Sequence, residues 1–150
     1  MKLTMLALAI GLCVTPISSL GINCRGSGRC VSCGIDSGTL AEKVKSIVIP
    51  TATYPEGKNI ACIGCKGIIK NDAGHNIDAG SFCVFPQHLN GGTVTGQQVI
   101  DGVNHILAHN CKGCGSAPLN AAANDVVKGE ITMNFAYCYA DDIEGGVKLC

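Results

Sequence analysis

Three Cys-x-x-Cys pairs are the residues of this chain best suited to chemistry: Cys30 and Cys33, Cys62 and Cys65, and Cys111 and Cys114. Two such thiolate pairs would make a tetrahedral zinc site. One pair at a helix N-terminus, where a thiol pKa is depressed, would make a redox centre. Any of them could instead be oxidised into structural bridges. The surrounding sequence decides among these. Of eleven cysteines, Cys13 lies in an apolar N-terminal stretch, and the other ten are Cys24, Cys30, Cys33, Cys62, Cys65, Cys83, Cys111, Cys114, Cys138 and Cys150. Lys2 gives that stretch a positive start, Leu3 to Val14 is apolar apart from Thr4 and Gly11, and Pro16 ends it before Ile17-Ser18-Ser19. This is the pattern of a signal peptide over residues 1–19, cut before Leu20. The apolar run is too short to cross a membrane, which takes about 20 residues. Outside the cell thiols oxidise, so an even set of cysteines reads as a disulfide framework. A secreted metal or redox protein is the third-ranked alternative, because Cys111-Lys112-Gly113-Cys114 follows a helix and Cys30-Val31-Ser32-Cys33 precedes one by several residues.

Other candidate groups have simpler readings. His105 and His109 have the i, i+4 spacing of a chelating pair, but they lie away from the Val99/Val103/Leu107 stripe with no third ligand, as exposed histidines do. Asp72, Asn76 and Asp78 lack the spacing of a calcium loop and fit turn chemistry. Asp141, Asp142 and Glu144 read as a solvated acidic tail. No nucleophile elbow, phosphate loop or acid–base pair is legible. The expectation is a non-enzyme with no metal, cofactor or small-molecule substrate. Lys58, Lys66 and Lys70 share a segment without an acidic residue. They either guard a strand edge or form a small basic patch for acidic groups on a receptor.

The elements that must position these residues follow from periodicity. The mature region, residues 20–150, has the length of one domain. Lys plus Arg and Asp plus Glu each number 11, for a formal net charge of zero, which argues against nucleic acid or an acidic membrane as the main partner. With no Trp, three Tyr and three Phe, the core must come from Val, Ile, Leu, Ala and half-cystine. Asp36-Ser37-Gly38 and the capping-box spacing of Thr39 to Glu42 predict a helix start; Leu40, Val44 and Ile47 share its face, and Pro50 stops it. Lys58 to Lys70 and Phe82 to Phe85, ending at Pro86, predict a long, irregular hairpin. Thr95 and Gln98 predict a second capping box, opening a helix with Val99, Val103, Ile106 and Leu107 on one face and an end near Asn110. Cys111 to Asn124 reads as a loop. Gly129 to Tyr137 alternates, with Ile131, Met133, Phe135 and Tyr137 on one face. The order strand, helix, two strands, helix, strand predicts an α+β fold: a two-layer αβ sandwich, with two helices packed on one face of an antiparallel sheet.

The mature start, Leu20-Gly21-Ile22-Asn23-Cys24-Arg25-Gly26-Ser27 with Cys30 beyond it, resembles that of the fungal killer toxins of the killer protein four family. Asn110-Cys111-Lys112-Gly113-Cys114-Gly115-Ser116-Ala117-Pro118 is similar to that family's helix-end motif. Asn124-Asp125-Val126 and Gly129 to Phe135 resemble its last strand, and Ile60-Ala61-Cys62 and Cys83 to Gln87 the middle strands of its relatives. The resemblance implies an αβ sandwich, the pairings Cys24 with Cys111 and Cys30 with Cys114, and a secreted toxin that acts on voltage-gated calcium channels of susceptible cells. Lys58, Lys66, Lys70 and Lys112 are the candidate contacts with such a membrane channel or receptor, and the toxin is expected to be a monomer. Cys62 with Cys138 is expected as a further bridge, with Cys150 competing for the same role; Cys33, Cys65, Cys83 and Cys150 are left unassigned. The second-ranked function is a secreted fungal effector on the same fold, acting on a host plant or cell wall without channel activity.

Overall fold

The computed structural model describes residues 21–65, 69–70, 76–77, 80–120 and 124–136. The leader with Cys13, and also Lys66, Tyr137, Cys138, Cys150 and the acidic tail, lie outside the described residues. The elements in chain order are α1 (Arg29–Ser32), α2 (Ser37–Ile47), β1 (Thr53–Pro55), β2 (Ala61–Gly64), β3 (Ile69–Lys70), β4 (Asn76–Ile77), β5 (Ser81–Gln87), β6 (Thr93–Thr95), α3 (Gly96–Ala108), β7 (Gly115–Pro118), a 3-10 turn (Val126–Lys128) and β8 (Glu130–Ala136).

Both long helices start where a side chain can satisfy orphan amides. Asp36 caps α2, its carboxylate accepting from the Thr39 amide at 2.9 Å. The Thr39 hydroxyl donates to the other carboxylate oxygen, so Thr39 supports the cap, which lies three residues before it at Asp36. Thr95 and Gln98 form a reciprocal capping box at α3. Helix α2 ends at Ile47, ahead of Pro50, and α3 at Ala108, with Asn110 beyond it at positive φ.

The main sheet has four antiparallel strands in the order β2-β5-β8-β7. Its core face carries Ala61, Phe82, Val84, Ile131, Met133 and Ala117, all fully buried. Helices α2 and α3 cover that face with Leu40, Ala41, Val44, Val99, Val103 and Ile106. The helices run antiparallel: the Ser37 amide donates to the Lys112 carbonyl at one end, and the Gln97 amide to the Pro50 carbonyl at the other. Gly102 sets the close approach of α3 to the sheet, since a Cβ there would lie 2.6 Å from the Ile131 side chain. The two-layer αβ sandwich expected from the sequence is the architecture observed.

Four details differ from the periodicity reading. The first strand is reduced to a single bridge between Asn23 and Ser116, and the turn after it holds the extra helix α1. Gly115 to Pro118, expected as loop, is the edge strand β7. Two further small sheets form: β3 with β4 lies inside the long hairpin, and β1 with β6 joins the segments that flank it. Strand β5 also continues through Pro86 to Gln87. Its carbonyl accepts from the Gly57 amide at 2.8 Å on the β2 side, past the start of β2. In an antiparallel ladder the N–H and C=O of one residue point the same way, so the missing proline N–H falls outside the β5–β8 ladder.

Candidate functional site

Four disulfides are formed among the described residues: Cys24–Cys111, Cys30–Cys114, Cys33–Cys65 and Cys62–Cys83. The last corrects the expected pairing of Cys62 with Cys138. Cys62 and Cys83 stand directly opposite in the β2–β5 register with Cα atoms 4.1 Å apart, the narrow spacing of a non-hydrogen-bonded antiparallel pair. Their side chains leave the sheet on the same face, so the sulfurs meet with no movement of the chain. Cys33, unassigned from sequence, ties the end of α1 to Cys65 just past β2.

Three of the four bridges gather at one end of the sandwich, where β2 ends, β7 begins and α3 gives way to the Cys111–Cys114 turn. Asn134 of β8 is the polar centre there. Its amide oxygen accepts from the Ser27 amide at 3.0 Å and the Phe135 amide at 2.8 Å. The same oxygen touches Cys114 Sγ at 2.9 Å and Cys30 Sγ at 3.3 Å. Half-cystine sulfur carries no proton, so these last two are sulfur–oxygen contacts. Gly26 runs so close to Cys114 that a Cβ would collide with its side chain. The Arg29 guanidinium lies 5.3 Å over the Phe135 ring, within cation–π range. The Ser37 hydroxyl donates to the Cys111 carbonyl, binding the start of α2 to the same turn.

This stapled end contains an open cleft of about 320 Å³, lined by Cys30, Val31, Gly34, Ile35, Asp36 and Lys112, with Gly113 beside it. Val31 is 88% exposed, the most exposed large apolar side chain among the described residues. Ile35 is buried behind it. Lys112 is exposed and makes no ion pair among the described residues. The Thr39 amide, then the Thr39 hydroxyl, hold the Asp36 carboxyl below its usual pKa, so it keeps its charge.

Among the described residues, the opposite end is held without sulfur. Between β5 and β6 the chain turns through His88 and Asn90, both at positive φ. Glu56 clamps this turn: its carboxylate accepts from the Gly91 amide at 2.8 Å and the Leu89 amide at 3.1 Å. Those bonds, the one from Gly91 first, lower the Glu56 pKa. His88 Nδ1 lies 3.2 Å from Glu130 Oε1, whose side chain is only 9% exposed. Thr132 donates to the Gln87 side chain at 2.8 Å nearby.

The candidate contact lysines are divided between these ends. Lys58 is exposed in the turn before β2, beside Pro86. Lys112 precedes β7, at the other edge of the sheet. Because β2 and β7 run in opposite directions from one shared register row, Ala61–Val84–Met133–Gly115, the two lysines lie at opposite ends as well. Three strand spacings, about 14 Å, separate the edges alone. The backbone of Lys70 pairs with Asn76 in the β3–β4 hairpin, and Lys66 lies outside the described residues. His105 is half-buried and His109 is the C-cap of α3. Among the described residues no group of three or more His, Cys, Asp or Glu side chains is placed to hold a metal, and no helix is long and apolar enough to cross a membrane. Arg29 and Val31 escaped notice in the sequence because it is long-range links, the Cys30–Cys114 bridge first, that carry them to the Lys112 turn.

A small two-layer αβ sandwich stapled at one end by three bridges defines a disulfide-rich α+β protein. The comparisons make this specific. The Kp4 family model matches residues 6–137, and the chain belongs to that family. It is 31% identical over 119 residues to the KP4 killer toxin of Ustilago maydis P4 virus, covering 79% of this chain and 82% of the toxin. That membership supports a killer-toxin-like function.

Proposed function

We propose that this is a secreted killer-toxin-like protein that slows the growth of susceptible cells by binding an external membrane channel and blocking calcium entry. The observation that carries the reading is the family match across most of the chain, joined to a disulfide frame suited to an oxidising compartment. A disulfide-held surface loses little conformational entropy on binding, which suits a small protein acting from outside. Lys58, Lys66, Lys70 and Lys112 are the candidate contacts. A lysine ammonium placed in a ring of carboxylates would displace the permeant cation, so external calcium would compete and salt would weaken the contact.

One observation favours the alternative of an effector on the same fold without channel activity. Lys58 and Lys112 sit at opposite corners of the sheet, so these two cannot form one dense basic patch. A growth assay with calcium uptake on fungal and plant cells separates the readings. Channel block predicts inhibition that added calcium relieves and that Lys58→Glu or Lys112→Glu reduces. Growth inhibition with unchanged calcium uptake would favour the effector.

A further inference from the structure

We propose that the C-terminal segment, residues 137–150, docks on the outward face of the sheet at strands β2 and β5, held there as a loop by a bridge between Cys138 and Cys150. An antiparallel sheet with helices on one face ordinarily leaves the other face to water. Here Cys62, Ser81 and Cys83 face away from α2 and α3, alternating with the core residues Ala61, Phe82 and Val84, and yet each is 1% exposed or less. The chain around Asn23 and Ser27 reaches the outward face on its β7–β8 side, where it bonds Ser116 and Asn134. Over the β2–β5 side the described elements supply nothing comparable. The main packing partners of β2 and β5 are each other, β8 and α2, and α2 is on the core face. The cover there comes from chain outside the described residues.

The C-terminal segment starts where that cover is needed. Strand β8 ends at Ala136, which stands directly opposite Ser81, and Ser81 stands opposite Gly64 of β2. Its 14 residues reach about 46–50 Å when extended, against about 10 Å for two strand spacings. The leader enters from elsewhere: Gly21 lies against Asn124, and Asn23 bridges to β7, three strands away from β2. The undescribed joins between β2 and β5, residues 66–68, 71–75 and 78–79, are each five residues or fewer. Tyr137, Tyr139, Ile143, Val147 and Leu149 give the segment apolar side chains for the Cys62–Cys83 bridge and the half-buried Phe85. Eight of the ten cysteines after the leader are paired among the described residues, which leaves Cys138 and Cys150. Cys138 shares the parity of Asn134 and Ala136, the outward positions of β8. Closing this bridge takes a proton and an electron from each thiol; an acceptor disulfide of the oxidising compartment receives them and leaves as two thiols. The inference rests on the secreted setting of the proposed function at this step alone.

The test uses the oxidised secreted chain. Its intact mass should lie two hydrogens for each of five bridges below that of the reduced chain, and acid proteolysis should yield a peptide pair linking Cys138 to Cys150. Hydroxyl-radical labelling read by mass spectrometry should find Phe85 protected in that protein. A chain ending at Ala136, and the full-length double variant Cys138→Ser with Cys150→Ser, should each label Phe85 several-fold more while the four described bridges stay in place. The double variant carries the comparison if the shortened chain does not fold, and the bridge map needs no variant. A free Cys138 or Cys150, a link from either to another cysteine or to a second chain, or Phe85 labelling unchanged in the variants that keep the four bridges would overturn the proposal. So would protection of Phe85 that is lost on dilution, as a second copy of the chain on this face would give. Growth inhibition is scored separately. A protein with the bridge and the covered face that slows no cell would count against the toxin reading alone; a toxic protein lacking both would count against the docked segment alone.

Discussion

The two ends of this sandwich are fastened by different chemistry. At one end Cys24–Cys111, Cys30–Cys114 and Cys33–Cys65 close loops of 87, 84 and 32 residues. At the other, the Glu56 carboxylate, the His88–Glu130 contact and the Thr95 capping box hold the turns. The described bridge outside the stapled end, Cys62–Cys83, lies within the sheet. The bridges of the covalent end neither titrate nor are screened by salt, but they depend on an oxidising compartment. The polar end depends in part on the Glu56 charge and has no cross-link among the described residues. The cleft with Val31 and Lys112 belongs to the covalent end, where a surface can stay fixed without a large aromatic core behind it.

The largest expected effect comes from opening the stapled end. In the chain-entropy model a loop of 87 residues is worth about 4–5 kcal/mol. Cys24→Ser should lower stability by roughly 2–5 kcal/mol, the range for loss of a native bridge. Urea unfolding without reductant measures this, and Cys111 should become reactive to a thiol reagent in the folded variant. A change below about 0.5 kcal/mol would mean that the bridge does not constrain the unfolded chain as described.

A middle-sized effect is expected at the other end. Thr95→Ala removes one half of the α3 capping box and should cost about 1 kcal/mol. The same urea experiment reads it, and Thr95→Ser should recover most of the loss. If Thr95→Ala were neutral, the start of α3 would be held by packing of Val94 and Val99 alone.

The smallest effect sharpens the contrast in pH. The Glu56 pKa is lowered in the fold by the Gly91 and Leu89 amides. The stability this contributes is fully present above the ordinary carboxylate pKa, and it fades as pH falls through the lower folded value. Asp36 behaves in the same direction at the stapled end. Wild-type protein should therefore exceed Glu56→Gln in stability near neutral pH, and the gap should close in acid. A gap that persists unchanged at low pH would show that the carboxylate charge is not what holds the 88–92 turn.

Sequence patterns exposed the parts of this fold whose causes are local. Thr95 and Gln98 announce α3 because both halves of the capping box lie within four residues. Pro50 announces the end of α2 because it cannot continue a helix. The alternation of Ile131, Met133 and Phe135 announces β8 because one face of that strand is buried. Features made by distant partners stayed hidden. Strand β7 is Gly-Ser-Ala-Pro, without a β-branched or aromatic residue, and it is a strand only because β8 pairs with it. The three-residue strands β1 and β6 exist through each other. The partner of Cys62 depended on the register between β2 and β5, which irregular turns left open. A hairpin register opposing Cys62 to Cys83 was the one available signal for that bridge. The cleft was the least legible feature, because Val31 and Lys112 are 81 positions apart in sequence and are brought together by distant links, the Cys30–Cys114 bridge and the Ser37 bonds to the Lys112 turn.

The bridge pattern is the frame on which the division between the ends and the cleft both rest, and a disulfide map of the oxidised protein tests it most directly. Proteolysis at acid pH without reductant, which prevents exchange, followed by mass spectrometry of linked peptides should recover Cys24–Cys111, Cys30–Cys114, Cys33–Cys65 and Cys62–Cys83. A link between Cys111 and Cys114, or between Cys62 and Cys138, would contradict the account.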